Sequence, residues 1–234
     1  MNENDPSQAA SNNPSTAEQP AQFGSTAFSE SKAAAGHAWD AVRSILADPI
    51  KGQGHAFEML GGPKAFRAGL VMLVAFAFSN YLFCSSIVSN IQKLLASFMG
   101  FLGGLGGLSG ELGSKFNMKL VLFCVVPASA VYLSYLLISL TMSARKKDHS
   151  ACLYAAGVTA LPLSIWFLVV WLFGLSSSYL IIMVSLFCLS TTFIFISSIL
   201  RDVFLLSSRK NLLLTPAVIV LTTYASFFMY DLLM

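Results

Sequence analysis

Three histidines and four cysteines carry most of the acid-base, nucleophilic or metal chemistry open to this chain, and their spacing assembles none of it. His37, His55 and His149 stand far apart outside the apolar stretches, and no H-E-x-x-H or G-x-S-x-G pattern occurs. Cys84, Cys124, Cys152 and Cys188 form no C-x-x-C pair and lie in or beside apolar runs, so they read as small packing residues. A metal centre needs clustered His, Cys, Asp or Glu ligands. A serine nucleophile needs a histidine or lysine nearby, and the apolar runs hold neither. The expectation is no catalytic residue, no metal and no cofactor, hence a protein that is not an enzyme.

Weaker chemistry remains inside the apolar runs. Asn80 with Ser79 stands in the first of them, and Ser190, Thr191, Thr192, Ser197 and Ser198 punctuate the fourth. Such groups bond helix to helix or line a polar path, and both readings are open. Pro127, Pro162 and Pro216 each remove a backbone donor from a helix, leaving a static kink or a hinge. Asn80, Pro127, Pro162 and Pro216 are therefore the candidate polar and hinge positions.

These residues need a membrane to stand in. Hydrophobic residues make up 56% of the 234 and charged residues 11%, against about 25% charged in soluble domains. Five stretches are long enough to cross a hydrocarbon core, which takes about 20 residues: roughly 69–88, 120–142, 152–174, 178–200 and 212–233. The fold class expected is all-α, a polytopic bundle of five transmembrane helices. Ionisable residues are absent from the middles of these spans, which weighs against a proton- or sodium-coupled transporter.

Residues 94–110 could make a sixth span, and charge placement argues against it. With five spans, Lys51, Lys64, Arg67, Arg145, Lys146, Lys147, Arg201, Arg209 and Lys210 share one side; Lys93, Lys115 and Lys119 lie on the other. Nine against three follows the positive-inside rule, with a cytoplasmic N-terminus and an outward C-terminus. A sixth span would misplace Arg145, Lys146 and Lys147. Residues 91–105 carry apolar side chains at helical spacing, which suits a helix in the interface or a re-entrant loop. Gly103 with Gly107, and Gly106 with Gly110, have the G-x-x-x-G spacing that permits close helix contact, including self-association.

Ahead of the spans, residues 1–27 are polar and proline-containing, with neither a signal-peptide core nor enough apolar surface to fold, and read as a disordered tail. Residues 28–62 form an amphipathic arm in which Ala35, Ala38, Trp39, Val42, Ile45 and Leu46 share an apolar side. The helix should end at Asp48-Pro49, because the residue before proline avoids the helical region. Trp39 is the candidate membrane-surface anchor. Gly61-Gly62 marks a break, and Pro63 suits the first turn of the helix that opens a third region, 63–234. The net charge of +3 lies in loops, which fits lipid head groups and gives no nucleic-acid surface.

This layout resembles the Yip family of five-span membrane proteins, in the entry Asp48-Pro49-Ile50-Lys51-Gly52, the break Gly62-Pro63 and the stretch Tyr154 to Pro162 (YAAGVTALP). The D-L-Y-G-P motif of eukaryotic members is absent, so the bacterial Yip-like branch is the nearer comparison and the family's Rab-type GTPase binding is not carried over. The resemblance implies the five-span topology and a bacterial inner (cell) membrane, while the five uncharged spans and the two amphipathic segments point to a non-enzymatic protein that organises the membrane or binds protein partners. The residues also allow an alternative, a channel or uncoupled facilitator for a small neutral solute.

Overall fold

The computed structural model describes residues 19–101, 109–142, 148–173 and 178–233. Among the described residues six helices run in order: α1 (Gln19–Ala47), α2 (Gly52–Phe101), α3 (Ser109–Thr141), α4 (His149–Phe173), α5 (Ser178–Asp202) and α6 (Ser208–Leu233). No strand occurs among the described residues. The chain divides into two compact units, Met1–Ala33 and Ala34–Met234.

In the first unit the described residues are the opening turns of α1. That helix starts at Gln19, inside the stretch 1–27 whose composition suggests a structureless tail. Pro20 explains the start, because proline is suited to a first helical turn and its missing N–H is unneeded there. Residues 1–18 lie outside the described part.

In the second unit, five helical segments are long and apolar enough to cross a membrane: Gly52–Asn90, Phe123–Thr141, His149–Phe173, Ile181–Asp202 and Ser208–Asp231. They overlap the five spans expected from hydropathy, the first beginning at Gly52 instead of at about residue 69, and the chain is a helical integral membrane protein. Its side chains are distributed inversely to those of a soluble domain. Phe66, Leu70, Val74 and Phe78 recur every four residues on α2 and are all exposed, while Ser79, Asn80, Ser134, Thr159, Ser164 and Thr215 are buried. Large apolar residues facing outward and polar ones inward suit a hydrocarbon surround.

Most buried hydroxyls are satisfied by their own helix. Ser134 donates to the carbonyl of Ala130, Ser164 to that of Ala160 and Thr192 to that of Cys188, at 2.7–2.9 Å. Thr191 does the same with Phe187, so Thr191 and Thr192 do not bridge helices through these bonds. Residues 91–101, where the sequence suggested an interfacial helix, continue α2 without interruption as far as Phe101. Residues 102–108, with Gly103, Gly106 and Gly107, and the basic triplet Arg145, Lys146 and Lys147 fall outside the described residues.

Within α2, Gly61 has φ 69° and ψ 166°, a conformation open essentially to glycine alone, and the helix kinks there. Pro63 follows in the first turn after the break, where the donor it lacks has no helical role. We expect Gly61→Ala to cost about 1–3 kcal/mol from backbone strain alone, since an added Cβ meets nothing within 4 Å. Gly62→Ala, whose Cβ would touch only Ser150 Oγ at 3.4 Å, should change stability by under about 0.5 kcal/mol. Denaturation midpoints in one detergent compare the two directly.

Two helix pairings organise the core. On α2, Ala65, Ala68, Gly69 and Met72 are buried, and on α4 every residue from Ala151 to Ala160 is buried. At the crossing the backbones touch: a Cβ on Gly69 would lie 2.6 Å from Tyr154 Cα, and one on Gly157 would lie 2.6 Å from the Gly69 carbonyl oxygen. Small residues four apart allow this approach, which lets dispersion hold helices where lipid removes the hydrophobic drive.

The second pairing, α3 with α6, uses hydrogen bonds. Pro127 has no N–H to give the carbonyl of Phe123 four residues back, and Tyr230 of α6 supplies the donor instead, its hydroxyl lying 2.6 Å from that oxygen. The Tyr230 ring stacks on Phe123 at 4.7 Å, and Thr222 Oγ1 donates to Ser134 Oγ at 3.1 Å further along. Tyr230→Phe keeps the stacking and loses the donor. Its expected cost is about 0.6–1.7 kcal/mol, the range for hydrogen bonds between membrane helices, read as a fall in thermal midpoint.

Candidate functional site

The loop between α1 and α2 is built into one end of the bundle, and seven consecutive turn and helix-start positions, Asp48 to Gly54, explain how. Asp48 caps α2: its Oδ1 accepts from the backbone N–H of Ile50 at 3.1 Å and of Lys51 at 3.0 Å, with Pro49 between them. These two N–H groups hold its carboxyl below the usual carboxylate range. Gly52 follows because α1 passes close, so that a Cβ there would lie 2.4 Å from the Ser44 carbonyl oxygen. Gly54 is pressed in the same way, since its Cβ would lie 2.8 Å from Cβ of Asp202. A glycine, a buried residue and another glycine thus pass between two helices.

That buried residue is Gln53. Its Nε2 donates to the Pro49 carbonyl at 3.1 Å, its own carbonyl accepts from the Tyr154 hydroxyl at 3.0 Å, and Tyr154 packs its ring on Phe57 at 5.3 Å. Gln53 Oε1 is buried with no hydrogen-bond partner among the described residues. From α5, Ser198 Oγ sits between the Ile50 carbonyl and Asp202 Oδ2, 3.1 Å away, and shares its single proton between them. Arg201 reaches the same carbonyl at 3.4 Å and grips Asp202 at 2.7 and 3.0 Å. The loop carbonyls therefore serve as acceptors for side chains of α4 and α5.

This arrangement latches the loop through its carbonyl groups. Ser198 meets a carboxylate that Arg201 already engages, and no histidine is among its hydrogen-bond partners here. Among the described residues, no group of three or more His, Cys, Asp and Glu side chains gathers into a metal-binding cluster.

The arm helix itself has two apolar sides. Ala38, Ala41 and Ile45 are buried, with Val42 packed against the core, whereas Ala35, Trp39 and Leu46 are exposed, Trp39 at 66% and Leu46 at 67%. The single apolar side read from the sequence is therefore split. At about 100° per residue, Ala35, Trp39 and Leu46 cluster about 90–110° around the helix from the buried set. Trp39 is thus free of the core, as an anchor must be. Arg43, Lys51, Lys64 and Arg67 are exposed on the same arm and helix entry.

The other candidate positions lie apart from this latch. Asn80 is buried in α2 and its Oδ1 accepts from the Cys84 thiol one turn on, at 3.4 Å. Pro127 sits at the α3–α6 contact, Pro162 is buried in α4, and Pro216 is exposed on α6. All three stand inside helices that continue past them.

Sequence reasoning missed Gln53, Ser198, Arg201 and Asp202 as one group, and also Asn211. Asn211 Nδ2 donates to the carbonyl of Ser197 at 2.9 Å and to its hydroxyl at 3.1 Å, fastening α6 to α5. The Gly-Gln-Gly run after Asp-Pro was the available signal, because glycines flanking a polar residue mark close backbone approach. Compared with known proteins, the chain matches no family model, no curated protein and no solved structure.

Proposed function

We propose that this protein is a non-enzymatic organiser of its membrane, with the arm 28–62 as its working surface, comparable to the bacterial Yip-like branch that its layout resembles. The observation that carries the reading is the arm's double character. One side of α1 is locked to the bundle, and the other presents Trp39 and Leu46 beside Arg43. An apolar stripe next to basic residues suits the head-group zone of an anionic bilayer, where a partner's amphipathic segment would also lie. The nine-to-three charge balance puts the arm on the cytoplasmic side, with the C-terminal end of α6 outside. A solute facilitator has less support, since Asn80 is buried and its oxygen is occupied by Cys84.

The test is a depth measurement on the full chain reconstituted in vesicles of phosphatidylglycerol and phosphatidylethanolamine. Trp39→Cys, labelled with an environment-sensitive fluorophore, should be quenched by lipids spin-labelled near the head group. It should also be shielded from aqueous iodide. Quenching by iodide alone, with no response to the spin-labelled lipid, would sink the reading.

A further inference from the structure

Pro127, Pro162 and Pro216 are alike in the sequence, and the fold sets them in three different surroundings. Each lacks the N–H that would bond the carbonyl four residues back, which belongs to Phe123, Val158 and Leu212 respectively. At Pro127 the loss is made good, since the Tyr230 hydroxyl donates to the Phe123 carbonyl at 2.6 Å. Pro162 is itself buried and follows the buried run Ala151 to Ala160 of α4, and Leu161 and Leu163 on either side of it pack on the core. A helix gripped in this way has no room to bend. Pro216 has neither support. It is exposed, as is Leu212, and Thr215 beside it gives its proton to the Asn211 carbonyl and side-chain oxygen at 2.9 and 3.1 Å.

The attachments of α6 change at the same residue. On its N-terminal side Asn211 and Thr215 are buried, and Asn211 Nδ2 forks onto the Ser197 carbonyl and hydroxyl of α5. Val218 is buried just past Pro216, and from 219 to 231 every residue is exposed or half-buried. Among the described residues, the hydrogen bonds that tie this half to another helix run to α3 alone: Thr222 Oγ1 to Ser134 Oγ at 3.1 Å and Tyr230 to the Phe123 carbonyl. The contact of Ser129 Oγ with Met229 Sδ at 4.0 Å adds little, because Ser129 already gives its proton to the carbonyls of Val125 and Val126 at 3.1 and 2.9 Å. Val220, Tyr224, Phe227 and Phe228 are exposed and hold nothing in place.

We propose that the C-terminal half of α6 is a hinged flap that swings about Pro216, with Tyr230 as its catch. The N-terminal half stays fastened to α5. Swinging parts the seam between α3 and α6, uncovers the buried Ser134 hydroxyl to the bilayer and leaves the Phe123 carbonyl without its substitute donor. The closed state is therefore the resting one. It is held by two hydrogen bonds and one stacked ring pair, each a small contribution between membrane helices. The backbone contact of α2 with α4 offers no comparable freedom, because there no side chain can give way. Of the three prolines, Pro216 is the hinge, and Pro127 and Pro162 are fixed.

The experiment uses the full chain in lipid nanodiscs, with pairs of nitroxides carried on p-acetylphenylalanine so that the four native cysteines stay in place. Position 179, exposed near the start of α5, is the reference, and its partner is position 228 beyond the hinge or position 212 before it, both exposed. Pulsed dipolar spectroscopy should give one distance from 179 to 212 and two from 179 to 228. Tyr230→Phe should raise the ratio of open to closed flap about three- to eighteenfold, the effect of one lost hydrogen bond between membrane helices, and leave the distance to 212 unchanged. Adding Pro216→Ala, which restores the backbone donor, should return the 179 to 228 pair to a single distance. One and the same distance to 228 in both wild type and Tyr230→Phe overturns the proposal. So does an equal spread at 212 and 228, which means that the whole helix has shifted, and so do two distances to 228 that survive Pro216→Ala.

Discussion

Replacing Gly157 by leucine should prevent the folded bundle from accumulating, whereas the same exchange at Gly36 should pass almost unnoticed. Around Gly157 the nearest atoms are the carbonyl oxygen and Cα of Gly69 and Cβ of Met72, at 2.6, 2.9 and 3.0 Å from an added Cβ. Two of these are backbone, so no rotamer change clears the space. The helices must separate along a face where the neighbouring residues of α4 are all buried. Overpacking in a dense core costs about 1–3 kcal/mol when side chains can yield. Here the backbone must move, and we expect about 3 kcal/mol or more, a large share of the roughly 5–15 kcal/mol that holds a typical domain. Gly69→Leu should behave alike, because its Cβ would meet Leu153 and Tyr154 backbone at 2.5–2.6 Å. Around Gly36 nothing lies within 4 Å. Yield of monodisperse protein and thermal midpoint in detergent would report the contrast, and a Gly157→Leu protein as stable as Gly36→Leu would refute the packing account.

The second large effect concerns the latch. The pair of changes Ser198→Ala and Asp202→Ala should let the arm open without unfolding the spans. Together they take away the hydroxyl on the Ile50 carbonyl and the carboxylate that holds Arg201 in place. Hydrogen bonds involving charged groups contribute about 1.5–3 kcal/mol, which corresponds to about a ten- to hundredfold rise in the opened population. Lys51 lies in this loop and is exposed, so trypsin cleavage after it reads that population directly when reclosing is fast. Arg201→Ala alone should have a smaller effect, about threefold, because the Arg201–Asp202 pair is partly exposed to solvent. Unchanged cleavage in the double variant would show that the loop is held by its glycine packing and by Tyr154, and that the polar contacts are incidental.

The parts of this fold that follow from local chemistry were readable in the amino acids. Five apolar runs became five helices that contain most of each run, the first extended to Gly52–Asn90, because a bilayer admits few other ways to satisfy a spanning backbone. The stops at Asp48-Pro49 and Gly61 were readable for the same reason, since proline and glycine act on the backbone they occupy. The start of α1 was misjudged because composition describes a stretch of chain, while a helix start depends on single residues such as Pro20. Facing was only half legible: Trp39 and Ile45 are both apolar, and only the position of the bundle decides which is covered. The latch could not be read at all. Gln53 meets Tyr154 and Ile50 meets Ser198 across long sequence separations, through contacts that no spacing rule encodes.

The proline of α3 has a consequence for the order in which the protein is assembled. The carbonyl oxygen of Phe123 is deprived of its usual donor as soon as that helix forms, and its replacement sits 107 residues further along the chain. Until Tyr230 has been synthesised and inserted, α3 carries an acceptor that its own helix cannot satisfy. A half-made chain therefore holds an unfilled polar position in its second span, and α6 enters the membrane with a place already prepared for it. Docking of these two helices closes a defect that translation itself leaves open for nearly half the length of the chain.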